Sequence, residues 1–251
     1  MKTILMKFQG PLQSYGTDSH FETRHTDDHP SKAAVIGLIA AALGIRREET
    51  DKLRQLHNLH MVVRVDQVGQ MSKEFQIAAK YKKTGDNERN YVTLRYYLED
   101  AVFLVAVEGK DDLIDHIYDA LKRPYFQIFY GRKSCPVNYD FLVGLYEGEA
   151  IKQIQKQPWM ASDWYRKRRL RQEKVRLDVY GDLVCMPEER QKALRRDQPV
   201  SFSQKGRQHE LRFECHKNMW IVNPDYITPN IQTSHDAFTP LMEEEYVSEQ
   251  S

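Results

Sequence analysis

The sequence predicts an α+β fold in which two helices lie on one face of an antiparallel sheet. Three observations predict it: short apolar segments with strand character, two segments whose apolar residues recur at helical spacing, and the order in which these segments alternate. The chain of 251 residues can bury a sizeable core. Its content of 41% hydrophobic and 29% charged residues is typical of globular proteins.

The first half of this order is strand, helix, strand. Residues 3–8 form an apolar run ended by a Gly-Pro pair, which predicts a strand followed by a long polar loop over residues 10–29. Pro30 suits a first helical turn, and Gly44 stands where a C-terminal cap is expected. Residues 60–68 then predict a second strand.

The second half is strand, helix, strand. Residues 69–93 are polar and basic and predict a protruding hairpin with its turn near residues 85–87. The continuous apolar run 101–107 predicts a buried strand, and the amphipathic segment 111–121 predicts a helix. Residues 126–130 predict the next strand.

The complete order is the ferredoxin-like pattern, which also underlies RNA-recognition motifs. It places both helices on one face of the sheet and leaves the other face free. Residues 101–107 lack the aromatic signature of those motifs, so we expect an RRM-like architecture without their base-stacking sheet. We expect residues 1–145 to form this body and residues 146–251 to add a smaller, mostly β portion that ends in an acidic tail.

The charges are divided unequally along the chain. The net charge is +1, but no Lys or Arg follows Lys217, while six carboxylates do. The segment after Lys217 therefore carries −6 and residues 1–217 carry +7. A basic body suits a phosphate-binding surface.

Composition and motifs exclude several classes of protein. The three cysteines are far apart, which argues against a disulfide framework or a zinc site and favours a reducing cytoplasm. No apolar run approaches the roughly 20 residues that span a bilayer. Because no nucleotide, dinucleotide or metal motif is present, we expect neither a cofactor nor a metal.

Two early segments carry residues suited to phosphate or bases. In the GPLQSYG loop at residues 10–16, glycines allow close backbone approach, Gln13 suits a base edge and Tyr15 suits stacking. Arg24 and the helix start at Ser31 and Lys32 add cations and unpaired N–H groups that attract phosphate. A simple turn and an ordinary capped helix explain the same residues.

Two later segments are basic. The GRKSCP loop at residues 131–136 places Arg132 and Lys133 between Gly and Pro, which suits phosphate contacts that position a strand. The run RKRRLRQEKVR at residues 166–176 holds seven cations and follows Trp164 and Tyr165, a combination suited to single-stranded nucleic acid. Exposed, solvated charge is the alternative for both.

Three histidines in the first loop leave a catalytic alternative open. His20, His25 and His29 could supply the general acid and base of a metal-independent ribonuclease. Their spacing matches no known metal-ligand signature.

An ordered set of motifs resembles the CasD-type subunits (Cas protein family 5, type I-E) of the RAMP superfamily. GPLQSYG is similar to the G-P-[ML]-Q-[AS]-[WY]-G that opens those chains. Further matches follow in order: Arg24-x-Thr26, Pro30-Ser31-Lys32, GLIAAALGI at 37–45, VRVD at 63–66, RYYLEDAVFLVAVEG at 95–109, ALKRP at 120–124 and GRKSCP. The final third matches loosely, chiefly through Phe202, Arg207 and Arg212.

This resemblance implies a function in CRISPR antiviral defence. Such subunits belong to the Cascade surveillance complex, have a ferredoxin-like body with a protruding β-hairpin thumb, and grip the 5′ handle of the CRISPR RNA. They cap the CasC backbone subunits, the CasA large subunit docks nearby, and target DNA is met only through the complex. The thumb would be residues 73–93, with Lys80, Lys82 and Lys83 facing nucleic acid.

The resemblance and the residue patterns together give one set of expected RNA-binding residues. The set is Gln13, Ser14, Tyr15, Arg24, Ser31, Lys32, Arg64, Lys80, Lys82, Lys83, Arg95, Gly131, Arg132, Lys133, Ser134, Arg166, Arg168, Arg169 and Arg207. In the related type I-C branch the equivalent subunit cuts precursor CRISPR RNA, whereas in type I-E a separate subunit, CasE, does so. The match to type I-E implies binding without catalysis, and an endoribonuclease of the same fold is the alternative.

Overall fold

The computed structural model describes residues 1–17 and 22–228 as a mixed α+β fold with mostly antiparallel strands, as the sequence predicts. The strands are β1 (Lys2–Gln9), β2 (Leu12–Gln13), β3 (Thr23–Arg24), β4 (His60–Gln67), β5 (Gln70–Tyr81), β6 (Asn87–Glu99), β7 (Val102–Gly109), β8 (Leu142–Glu147), β9 (Lys174–Asp182), β10 (Lys192–Ser201) and β11 (Gln208–Val222). The helices are α1 (Lys32–Ala42), α2 (Thr50–Arg54), α3 (Asp111–Lys122), α4 (Ala150–Lys156) and α5 (Asp163–Lys167), with a 3-10 turn at Gln55–Asn58.

A seven-stranded sheet runs through the molecule in the order β10-β11-β9-β4-β7-β1-β8, and every neighbouring pair in it is antiparallel. The inner strand β7, between β4 and β1, is buried along its whole length, which explains its continuous apolar sequence. Alternate side chains of β7 enter two separate cores, with Phe103 in one and Leu104 in the other. The C-terminal strands therefore extend the same sheet as the N-terminal strands.

Helices cover both faces of this sheet. Helices α1 and α3 pack over the first core, α3 through Ile114, Ile117 and Leu121. The expectation of a free second face is wrong, because Ile154 of α4 and the fully buried Trp159 close the second core there. No helix within residues 1–17 and 22–228 has the length and apolar character needed to cross a membrane.

The smaller sheet is built around β6. It pairs with β2 and β3 near its C-terminal end and with β5 along its length, so that β5 and β6 form a long antiparallel hairpin. The chain reverses over residues 82–86, where the Lys82 N–H donates to the Asp86 carbonyl (2.9 Å). Most of β5 is exposed, so the hairpin stands away from both cores.

The strand expected at residues 126–130 is absent from the structure, where Phe129 forms only an isolated bridge with Pro136. The strand that follows α3 is instead β8, which pairs with β1 at the sheet edge. The short apolar run at residues 126–130 therefore supplies side chains to the core and to the surface without forming a strand. Short apolar runs are ambiguous in this way because periodicity does not separate strands from buried loops.

A buried network of charges joins the C-terminal strands to α1 and β9. Asp197 of β10 is fully buried and accepts hydrogen bonds from the guanidinium of Arg212 (2.6 and 3.0 Å) and from the backbone N–H of Lys32 (2.7 Å). Arg212 also donates to Asp182 (3.0 Å) and to Glu214 (2.6 Å). This one guanidinium therefore connects three strands of the sheet.

Arg195 extends the network to the first loop. It pairs with Glu214 (3.0 Å) and with Asp27. His29 lies beside them, with Nε2 3.2 Å from Glu214 and Nδ1 2.6 Å from Asp28. Residues 27–29 are thereby held against the C-terminal strands.

Glu214 is ionised at neutral pH. Burial alone would raise the pKa of Glu214, but the hydrogen bond from His29 and the charges of Arg195 and Arg212 outweigh burial and lower that pKa to about 2. The same carboxylate helps to raise the pKa of His29 against the opposing effect of burial.

We expect Asp197→Ala to lower the free energy of unfolding by about 3–5 kcal/mol, because it leaves the buried Arg212 guanidinium and the Lys32 N–H without their acceptor. Urea unfolding followed by circular dichroism measures this loss. Asp119→Ala is the matched control, since Asp119 is exposed and pairs with Lys122 on the same helix. Equal midpoints for the two variants would contradict the assignment.

Candidate nucleic-acid interface

A cleft of about 920 Å³ lies on the outer side of α1, and five segments form its walls. They are residues 14–16 of the first loop, residues 24–25, residues 45–48 after α1, residues 126–133, and residues 202–209 between β10 and β11. Six cationic side chains line it: Arg24, Arg46, Arg47, Arg132, Lys133 and Arg207. Glu48 is the single carboxylate among the described lining residues, so the cleft is strongly positive.

Aromatic and small residues line the rest of the cleft. Phe126, Phe129 and Phe202 contribute rings, and His25 and His209 contribute imidazoles. The α1 surface between them consists mainly of Ala and Gly, whose small side chains leave room in the cleft. Cations alternating with rings suit a single-stranded nucleic acid, because phosphates meet the cations and bases stack on the rings.

The two glycine-containing loops dock on each other at Ser14 and Gly131. The Ser14 N–H donates to the Tyr130 carbonyl (3.2 Å), and the Ser14 hydroxyl donates to the Tyr96 carbonyl (3.3 Å). Gly131 has a φ of 77°, and a Cβ added there would lie 1.6 Å from the Ser14 carbonyl oxygen. Only glycine allows this approach, which places both predicted loops at one end of the cleft.

Arg132 is the best-positioned cation of the cleft. Its Nη2 donates to the Arg24 carbonyl (2.9 Å), and its guanidinium lies 4.5 Å from the ring centroid of Tyr97. Its Nη1 is buried without a hydrogen-bond partner among the described residues. Arg132 is therefore held in place, and its Nη1 is a buried donor whose hydrogen-bonding capacity is not satisfied by the described residues.

The base of the hairpin contacts the same arginine. Hydrogen bonds from Gln76 and Tyr97, with the charges of Arg95 and Arg132, lower the pKa of Glu74. Arg95 lies opposite Glu74 in the β5–β6 register and does not line the cleft. The charges of this cluster therefore balance partly within the protein.

Gln13 and Tyr15 support the first loop and do not present their side chains to a ligand. Both are buried, with the Tyr15 hydroxyl donating to Gln13 Oε1 (2.5 Å) and Gln13 Nε2 donating to the Ala101 carbonyl (2.7 Å). The Tyr15 N–H donates to the Thr26 hydroxyl (2.8 Å). This corrects the expectation of base reading and stacking by these two residues.

The start of α1 is occupied by protein groups. Ser31 caps the helix by accepting from the Ala34 N–H (3.4 Å), and Asp197 fills the position expected for a phosphate. Lys32 is buried and its ammonium pairs with Asp182 (2.9 Å). A phosphate cannot replace a carboxylate that is fixed in the core, so the predicted anion site at Ser31 and Lys32 is wrong.

Arg64 stabilises the sheet and is another correction. It is fully buried, forms a two-pronged pair with Asp66 (2.6 and 2.7 Å) and donates to the carbonyls of Ile154, Gln157 and Pro158. All its donors are directed into the protein, so it clamps the segment after α4 against β4 and lies out of reach of RNA.

The basic run is divided between internal and open cations. Arg166 pairs with Asp225 (2.6 Å) and Asp163 (2.9 Å), and Arg169 lies over the Tyr165 ring (4.2 Å). Arg168 lies over the exposed ring of Trp164 (4.8 Å). No residue of the run lines the cleft.

The remaining predicted residues lie elsewhere or outside the described ranges. Lys80, Lys82 and Lys83 are exposed at the end of the hairpin, where Lys80 pairs with Glu88 (2.7 Å), and none of them lines the cleft. Ser134 is exposed beside the cleft loop. His20 and the tail beyond residue 228 lie outside the described residues.

Sequence reasoning missed Arg46 and Arg47. They follow Gly44, which ends α1 with a φ of 75°, and the turn directs the chain back over the cleft. Two adjacent arginines directly after a helix cap were the available signal. The Phe202 and His209 rings carried no such signal, because their place in the cleft depends on how β10 and β11 pair.

Gly131→Ala should separate the two loops, since its methyl group would collide with the Ser14 carbonyl. We expect it to lower the melting temperature and to increase hydrogen exchange at the Ser14 N–H, which native-state exchange measures. Gly85→Ala is the control, because Gly85 also has positive φ but has no atom within 4 Å of an added Cβ. Equal effects of the two variants would show that backbone strain, and not loop docking, is responsible.

The chain is similar to known CRISPR-associated proteins. The family model described as CRISPR-associated protein (Cas_Cas5) matches residues 3–214. The CRISPR system Cascade subunit CasD of Escherichia coli (strain K12) is 27% identical over 156 residues, which are 56% of this chain and 70% of that protein.

Two solved structures have similar folds. A chain of a CRISPR RNA-guided surveillance complex superposes with a TM-score of 0.75 at 26% identity, covering 91% of this chain and 95% of that one. A Cas protein crystal structure gives a TM-score of 0.59 at 31% identity, with 90% and 98% coverage. The resemblance seen in the sequence motifs is confirmed, and the chain belongs to the Cas5/CasD family of CRISPR-associated proteins.

Proposed function

We propose that this chain is a non-catalytic subunit of a type I-E Cascade complex and that its cleft holds the 5′ handle of the CRISPR RNA. The observation that carries the proposal is the convergence of six cations on one cleft from segments throughout the chain. Of the 19 expected residues, eight line the cleft: Ser14, Tyr15, Arg24, Ser31, Gly131, Arg132, Lys133 and Arg207.

The chemistry of the cleft suits a short, irregular single strand. Cations on loops position phosphates without reading sequence, and Phe126, Phe129 and Phe202 offer surfaces for unstacked bases. Arg132, whose guanidinium is fixed by the Arg24 carbonyl and the Tyr97 ring, is the residue best placed to meet a phosphate.

The finer architecture proposed for this subunit follows the strand order. Strands β8-β1-β7-β4 with α1 and α3 on one face support a ferredoxin-like body within residues 1–145. The β5–β6 hairpin supports a thumb over residues 73–93, and β9 to β11 support a β-rich extension over residues 146–251.

The proposed partners are the CRISPR RNA, the CasC backbone subunits and the CasA large subunit, with target DNA met only through the complex. The similar solved chain belongs to an RNA-guided surveillance complex. The exposed apolar side chains of the hairpin, Phe75, Ile77 and Val92, support a role for the hairpin in contacts between subunits.

A metal-independent endoribonuclease is the alternative, and one observation favours it. His25 and His209 line the same cleft, and burial together with the charge of Arg207 lowers the pKa of His209. A neutral imidazole can act as a general base. His29, the other described histidine of the first loop, is committed to the buried network.

Replacing Arg132 and Lys133 together by Ala should weaken binding of labelled handle RNA and reduce the slope of log affinity against log salt by about two units, because two phosphate contacts are lost. Filter-binding titrations over a salt series measure both quantities. The control replaces Lys110, which precedes α3, and Lys122, the last residue of α3, by Ala. Neither lysine lines the cleft. An unchanged slope in the cleft variant would remove the loop from the site.

A cleavage assay tests whether the protein is catalytic. We expect labelled repeat RNA to keep its full length in the presence of a chelator when the products are separated on a denaturing gel. Specific cleavage that disappears in His209→Ala would overturn the binding-only proposal in favour of the endoribonuclease.

A further inference from the structure

A second exposed surface lies on strands β9 and β11 and combines rings with cations. In the register of these strands Arg176 is opposite Trp220 and Lys174 is opposite Val222. Trp220 and Val222 are 64% and 61% exposed. We call these four residues the β9–β11 patch.

The exposure of the patch follows from strand alternation. Met219 and Ile221 enter the second core, so Trp220 and Val222 face the opposite side of the sheet. A solvent-facing indole leaves a large apolar surface in contact with water, and exposed apolar surface of this kind can mark an interaction site. On the face of β11 that carries Trp220, His216 is covered, because its ring stacks on Tyr180 with the two ring centroids 4.7 Å apart.

The basic run continues from the patch. Asn223 follows Val222 directly, and its side-chain amide donates to the carbonyls of Arg169 (2.8 Å) and Gln172 (3.1 Å). Its backbone N–H donates to the Glu173 carbonyl (2.9 Å). Residues 169–173 are therefore fixed beside the end of the patch.

The cations of this surface are available. Within residues 1–17 and 22–228, no ion pair or hydrogen bond involves the side chains of Arg168, Arg171, Lys174 or Arg176, and all four are exposed. Arg168 also lies over the exposed Trp164 ring. The surface thus offers two exposed indoles and four open positive charges, with three carboxylates nearby: Glu173, Asp163 paired with Arg166, and Asp178 paired with His216.

The patch is separate from the cleft. None of its residues lines the cleft, and His209, which does, is eleven positions before Trp220 on the same strand. At about 3.3 Å per residue this corresponds to roughly 35 Å along β11.

We propose that the β9–β11 patch and the adjoining run form a second binding surface for single-stranded nucleic acid, independent of the cleft. Bases stack on Trp220, and Lys174, Arg176 and Arg171 meet the phosphates. Protein interfaces are depleted in lysine at their centres, so this mixture of indole, lysine and arginine suits a polyanion with flat bases better than a folded partner.

The test uses the full chain carrying Arg132→Ala and Lys133→Ala, so that the cleft contributes little. Binding of an unstructured 12-nucleotide oligouridylate and of its oligodeoxythymidylate equivalent is followed by fluorescence anisotropy. We expect Trp220→Ala to weaken binding of both by about tenfold. Trp220→Phe should restore most of that loss, because a phenyl ring also stacks.

Two comparisons decide the proposal. Leu194→Ala, a similarly exposed apolar residue on β10, should leave binding unchanged. An abasic 12-mer of equal charge should bind about as weakly as the Trp220→Ala protein binds the normal strand. Three results would each overturn the proposal. They are an abasic strand that binds as tightly as the normal strand, a polyglutamate that binds as tightly as the normal strand, and an unchanged affinity of the Trp220→Ala protein for the normal strand. Because every protein compared carries the same two cleft substitutions, these outcomes are separate from the handle-binding result.

Discussion

The buried charge network around Arg212 and Asp197 is the interaction on which the cleft depends. It fixes the first loop, the start of α1 and strands β9, β10 and β11 relative to one another. Residues 14–16, 24–25 and 202–209 of the cleft wall belong to the first loop or connect β10 to β11. Buried pairs of this kind contribute little net stability compared with an apolar core, but they impose a specific arrangement, which is what a cleft assembled from distant segments requires.

Buried ion pairs also determine which positive charges remain available at the surface. Lys32, Arg64 and Arg212 are surrounded by carboxylates and carbonyls inside the protein. Arg24, Arg46, Arg47, Lys133 and Arg207 remain exposed on loops at the cleft, and a separate group remains open beside β9 and β11. A basic composition is therefore divided into an internal set that shapes the fold and an external set that suits phosphate.

Much of the fold could be predicted from local sequence. Consecutive residues are enough to recognise the apolar run of β7 and the amphipathic spacing of α3. The same holds for the two glycine-containing loops that meet at Ser14 and Gly131. The partners of Lys32 could not be predicted, because Asp182 and Asp197 lie at least 150 positions away. Whether a cation binds RNA or a carboxylate is decided by tertiary contacts, and only its presence is local.

Photocrosslinking tests the central claim, that the 5′ handle lies in the cleft, most directly. A handle RNA carrying 4-thiouridine is bound to the full chain, irradiated, digested and mapped by mass spectrometry. The account predicts crosslinks to the cleft rings, with Phe126, Phe129 and Phe202 as the main acceptors. Crosslinks confined to the hairpin end at residues 80–83 or to strands β9 and β11 would contradict it.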